Sequence, residues 1–214
     1  MIAQVASGIF FSASLYGVVA LSGVLLGCNT QPVVVSIDPL ASARQRLTAT
    51  PRDPAVYLDL VRLSIDRHDY LRAMQYLSLA EHSALADSQA EQLFQLGLTI
   101  AIRSQNYSDA IRRCQTGLEQ RESLALRRLL ALLLEAHGDV SEAEHQHIAL
   151  LTLYPSISEQ LVEVARFYER SSLPGRTAKA SAMYQRYLDV APAGAAAQQA
   201  RAALLLSQQT RSKQ

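Results

Sequence analysis

The sequence predicts an all-α fold built from stacked helix-turn-helix units, and three observations carry that expectation. Beyond residue 53, apolar residues recur three and four apart over most of the chain, the spacing that gives a helix one buried face. Short polar turns interrupt this pattern at His68-Asp69-Tyr70, Gln105-Asn106-Tyr107, Gly138-Asp139 and Pro174-Gly175. After each turn a small residue returns, at Ala73, Ala110, Ala143 and Ala180, spaced 37, 33 and 37 residues apart. Two short helices do not bury both their apolar faces alone, so each unit needs its neighbours.

Composition limits the function classes. The 214 residues are 49% apolar, enough for a substantial core. Lys and Arg total 20 against 19 Asp and Glu, a formal charge of +1, so no strong field points to nucleic acid or an acidic surface. The two cysteines, Cys28 and Cys114, form neither a disulfide framework nor a metal-ligand spacing.

Residues 1–27 contain no Asp, Glu, Lys, Arg or His, and such a stretch partitions into a membrane. It ends in Val24-Leu25-Leu26-Gly27-Cys28, which resembles the lipobox of bacterial lipoprotein precursors. The resemblance implies a cleaved signal peptide over 1–27 and a lipidated Cys28 at the start of the mature chain. Asn29, in place of Asp, then implies sorting to the outer membrane, with the body on its periplasmic face. Several acyl chains, at about 0.8 kcal/mol per buried methylene, hold a domain firmly. A second reading stays open, because 27 uncharged residues also span a bilayer as an uncleaved anchor. The nearest basic residues, Arg44, Arg46 and Arg52, lie after the apolar run, and in that reading they place the body in the cytoplasm on the inner membrane.

Residues 28–52 read as a tether. Within it Asp38 is a candidate cap for a short helix that opens on Pro39 and ends near Leu47. The run from Val33 to Ile37 reads either as tether or as a strand.

The repeats follow over 53–192. Asp53-Pro54 opens a helix to about Arg67, and a second carries Ala73, Leu77 and Ala80. A helix from about Ser88 to Ser104 is followed by one with Ala110, Cys114 and Gly117. The clearest unit runs from Leu124 to Ala136, breaks at His137-Gly138-Asp139, and continues to Tyr154 before Pro155. A fourth starts at about Ile157 and carries Ala180, Tyr184, Tyr187 and Pro192. The spacings scatter around a 34-residue period, and with Leu96-Gly97, the four alanines, the turns and the closing Pro155 and Pro192 the chain resembles the tetratricopeptide-repeat family. That resemblance implies a right-handed superhelical α-solenoid of about four units. The chain departs from the family pattern in lacking Trp, in carrying Arg127 at a place usually aromatic or apolar, and in carrying Tyr168 where a small residue is usual. Residues 193–214 read as a capping helix, with Ala196, Ala200, Ala203 and Leu204 inward and Gln198, Gln199 and Arg201 outward, ending in a frayed tail.

No catalytic constellation, cofactor motif or metal site is legible. His145 and His147 stand two apart and point in different directions on a helix, which is wrong for a metal pair. Cys114 falls on an inward face and reads as a small buried hydrophobe. Glu142 and Glu144 suit the dipole at a helix start. The reading is therefore a non-enzyme that binds a protein partner and takes no small-molecule substrate. In the resembling family the first helices of the units line a groove that holds a partner segment. The corresponding places here are Arg62 and Asp66, then Leu98 and Ala101, then Arg128, Leu132 and Glu135, then Arg166 and Glu169. The three arginines read equally as grips for a carboxylate-bearing peptide and as a solvated face. Two functions remain: an outer-membrane lipoprotein scaffold that helps assemble an envelope machine such as a pilus or secretion channel, or a membrane-tethered cytoplasmic adaptor that recruits an enzyme or chaperone.

Overall fold

The computed structural model describes residues 38–211, with side chains through residue 209. Residues 1–37, including the lipobox-like stretch, Cys28 and the Val33 to Ile37 run, lie outside the described residues. Among the described residues there are ten α-helices and no strand: α1 (Pro39–Ala49), α2 (Pro54–Asp66), α3 (Tyr70–Glu81), α4 (Asp87–Arg103), α5 (Tyr107–Gln120), α6 (Leu124–His137), α7 (Val140–Leu153), α8 (Glu159–Arg170), α9 (Arg176–Val190) and α10 (Ala195–Arg211). None of the described helices is long and apolar enough to cross a membrane.

Local chemistry sets the helix starts. The Asp38 carboxylate accepts from the Leu40 amide at 3.0 Å and that of Asp53 from the Ala55 amide at 2.9 Å, each followed by a proline at the first helical position. Asp69, Asn106 and Ser123 do the same for α3, α5 and α6. A capped amide no longer lacks a partner, a gain of about 1 kcal/mol per site.

The four turns share a left-handed residue. His68, Gln105, Gly138 and Gly175 all have positive φ, at 58°, 59°, 97° and 69°. Each stands five residues before one of the four alanines. In the first three turns the next amide reaches back five residues: Asp69 to the Ser64 carbonyl, Asn106 to Ala101, Asp139 to Leu134, at 2.9, 2.8 and 2.9 Å. That is the Schellman closure of a helix end, and it fixes where the second helix departs. The alanines are then buried, Ala73, Ala110 and Ala143 completely. A larger side chain there forces the two helices of a unit apart.

The chain divides into two compact bodies, one up to Ile100 and one from Ala101, so that α4 contributes to both. In the first, Leu40 and Ala43 of α1 cover Val56 and Leu60 of α2. On the other side, Leu58, Val61 and Ile65 of α2 pack with Ala73, Leu77 and Ala80 of α3 and with Leu93 and Ile100 of α4. In the second body α5 through α10 pack in chain order. Its largest cluster joins Leu161, Val162 and Ala165 of α8, Tyr184 and Tyr187 of α9, and Ala197 and Ala200 of α10.

The C-terminal helix departs from expectation on its outer face. Its inner face holds the expected alanines and Leu204, but Ala202, Leu205 and Leu206 stand in solvent among the glutamines. A cap ordinarily shows water a polar side.

Candidate partner-binding face

The candidate groove residues lie on first helices of the repeats, and each body presents its own set. In the first body Arg62 is exposed on α2, pairs with Asp59 at 3.5 Å one turn earlier, and donates to the Gln92 Oε1 of α4 at 2.8 Å. Asp66 is exposed and Leu98 half-buried. In the second body Arg128 on α6 pairs with Glu163 on α8, and Arg166 on α8 donates to the Gln199 Oε1 of α10. Leu132 is half-buried and Glu169 exposed. Ala101 does not belong to a surface: it is 2% exposed, because its side of α4 faces inward.

The three arginines therefore do one thing in common. Arg62, Arg128 and Arg166 each reach from a first helix to an acceptor on the next first helix, 30, 35 and 33 residues on. Neither a free grip nor a merely solvated face describes them; they are rungs between consecutive repeats. A guanidinium carries five N–H donors in a planar fork, so one rung leaves donors facing solvent. The side chains of Arg62 and Arg128 are 48% and 42% exposed.

Glu135 sits deeper than a surface residue. Its carboxylate accepts from His147 Nε2 of α7 at 2.9 Å and from the Arg170 guanidinium of α8 at 2.8 Å, so that three helices meet on one side chain. Burial pushes Glu135 upward, but the bonds from His147 and Arg170 outweigh it and hold the carboxyl below its ordinary range. The His147 ring stacks on Phe167 with centroids 4.6 Å apart. His147 is thus a packing residue, whereas the His145 side chain is 69% exposed, and the two form no metal pair. Among the described residues no group of three or more His, Cys, Asp or Glu is arranged to hold a metal ion.

Glu144 serves neighbouring helices in addition to its own helix start. It accepts from the Tyr168 hydroxyl and the Lys179 ammonium, both at 2.8 Å, and the ammonium also lies 5.4 Å from the Tyr168 ring centroid. Tyr168 is accommodated where a small residue is usual because its hydroxyl has this partner. Arg127 is accommodated for a similar reason: it pairs with Glu122 and donates to Gln146 at 2.7 Å. One signal in the sequence marks these joints: Arg128 and Glu163, Glu135 and Arg170, and Glu144 and Lys179 are opposite charges, each 35 residues apart.

Cys114 is fully buried, and burial pushes its thiol up to about 12, which leaves almost no thiolate at neutral pH. Tyr184, beside the candidate groove, is likewise pushed up to about 12, by burial and by the negative charge of Glu169.

No protein-family model matches the sequence, and no curated protein matches it. Solved structures do. The chain is similar to YrrB, described as a TPR protein with an unusual peptide-binding site, at 18% identity and a TM-score of 0.55, over 76% of this chain and 81% of that one. It is also similar to MamA, at 14% identity and a TM-score of 0.53, over 70% of this chain and 85% of that one. At these identities what is shared is the fold: the chain has the all-α helical-repeat architecture of tetratricopeptide proteins.

Proposed function

We propose that the protein is a non-catalytic interaction scaffold whose first-helix face holds an acidic segment of a protein partner. The observation that carries this is the half-exposed Arg128, held in place by Glu163 and set beside Leu132. A guanidinium already fixed by one carboxylate loses little entropy on accepting a second. The fold shared with YrrB, whose description names a peptide-binding site, supports the same reading.

The proposal extends to location. The lipobox-like Val24-Leu25-Leu26-Gly27-Cys28 supports lipid attachment at Cys28 and a place at the outer membrane, in the service of an envelope machine. Mass spectrometry of the mature N-terminus tests it: a diacylglyceryl cysteine is expected, and an intact Met1 would instead favour the tethered cytoplasmic adaptor.

The binding claim is tested with an acidic peptide library and two variants. Arg128→Glu is expected to weaken binding about tenfold, or 1.4 kcal/mol, with helicity unchanged. Glu163→Gln removes the competing carboxylate and is expected to leave binding equal or stronger. If both variants bind as the parent does, Arg128 is a rung and nothing more.

A further inference from the structure

Helices α2, α6 and α8 each lean on the second helix of their own unit, α3, α7 and α9. Helix α10 occupies the next first-helix place, after α9 and Pro192. Among the described residues no second helix follows it. The open side carries Ala195, Gln198, Ala202 and Leu205, all exposed and spaced three, four and three apart. That spacing lines up a straight seam along one helix. Leu205 is 60% and Leu206 64% exposed.

The seam carries no charge. Residues 191–214 contain no Asp or Glu, and Arg201, the charged side chain described on α10, donates to the Pro192 carbonyl of its own chain. A charged partner gains nothing from such a face, and two copies of it meet without like charges opposed. The Gln198 amide is uncharged and both donates and accepts, so it adds no like-charge repulsion between two copies. Ala202, small and on the seam next to Leu205, lets two helices approach closely.

We infer that this seam is the docking site for a second copy of the chain, α10 against α10, antiparallel about Ala202. A head-to-tail alternative would place α10 against α1 of the next copy and propagate into a filament. The outward side of α1 speaks against it: Arg44, Gln45 and Thr48 are exposed there, and burying them under leucines costs more than it returns. The self-complementary arrangement closes at two. The seam from Ala195 to Leu205 spans 11 residues, about 15 Å. It buries less than the roughly 1,600 Å² of a standard interface, so the dimer is weak, with a Kd in the micromolar range.

The test is sedimentation equilibrium of the full chain in density-matched detergent, across the micromolar range. A monomer–dimer equilibrium is expected for the parent, weakened at least tenfold by Leu205→Glu at unchanged helicity. Independently, Ala202→Cys in a Cys28→Ser background is expected to give a disulfide-linked dimer on mild oxidation, and Arg44→Cys in the same background is not. A parent that stays monomeric, a dimer that survives Leu205→Glu, or growth beyond two copies would overturn the inference. So would a monomer whose α10 binds anionic vesicles and loses that binding in Leu205→Glu.

Discussion

Leu77 in α3 and His147 in α7 stand at the same place in their repeats, four residues after the buried alanine, and both are buried. Around Leu77 the cluster is aliphatic and aromatic, drawn from Leu58, Val61, Ile65 and their neighbours. Around His147 stand the Glu135 carboxylate and the Phe167 ring. Cys114 and Tyr184 fill the same place in the other two repeats. What the repeat conserves from unit to unit is therefore depth and the left-handed turn before it. Polarity at that depth is allowed wherever a neighbour supplies a partner.

The sharpest way to break this comparison is to remove the ring that backs His147. Phe167 is 1% exposed and touches both His147 and Tyr168, with centroids 4.6 and 5.3 Å away. Phe167→Ala is expected to cost about 3–5 kcal/mol, by lost burial and the cavity left behind, measured by urea denaturation followed by circular dichroism. A cost below that of Leu77→Ala would mean that the polar joint contributes little beyond the area it covers.

Exchanging the two side chains is the next step down. Leu77→His places an imidazole in an apolar cluster with no partner and is expected to cost about 2–3 kcal/mol. His147→Leu leaves Glu135 its bond to Arg170 and removes a buried Nδ1 that has no partner, so its cost is expected to stay under about 1 kcal/mol. Equal costs would show that the two places are alike after all. The turns allow a smaller exchange. Gly138 at φ 97° meets nothing within 4 Å where a Cβ would stand, so Gly138→Ala is expected to cost about 1 kcal/mol through backbone strain alone. His68 at φ 58° already bears that strain, and His68→Gly is expected to return about 0.5 kcal/mol in the same measurement.

The turns and the alanines were legible from the sequence because each is dictated locally, by a left-handed residue and by a close helix crossing. Helix boundaries followed to within about two residues, Asp87 against Ser88 for α4 and Ala49 against Leu47 for α1. The ties between repeats were not read. A helical pattern says which face is apolar, but not which neighbouring turn a long Arg or Glu side chain reaches: Arg166 is exposed as expected, yet its tie to Gln199 is not legible, and Glu135 sits deeper than its place on the pattern implies. Ala101 is buried and not on the groove face, a difference the pattern does not show, since an alanine fits an open face and a closed one equally. The exposed leucines of α10 are not marked in the sequence, because inward alanines alone satisfy the pattern of a cap.

The smallest expected effect is also the one whose sign decides most. Two opposing influences act on Glu135, burial raising its affinity for a proton and the bonds from His147 and Arg170 lowering it, and the second prevails. The folded carboxyl then titrates below its unfolded value of about 4.5. Its stabilising contribution is fully present above pH 4.5 and is lost as the pH falls through the folded value. Arg170 is 48% exposed, which screens part of the attraction and keeps the effect to a few tenths of a kcal/mol, about the worth of a surface pair. The stability of the parent over Glu135→Gln is therefore expected to hold steady down to about pH 4.5 and to narrow as the pH is lowered from there toward about 3, followed by urea denaturation at each pH. Leu77 has no titrating partner, so Leu77→Val is expected to show a constant difference from the parent over the same range. If the Glu135 difference instead widens in acid, burial outweighs the two donors, and the His147 joint is a strained site where Leu77 marks a relaxed one.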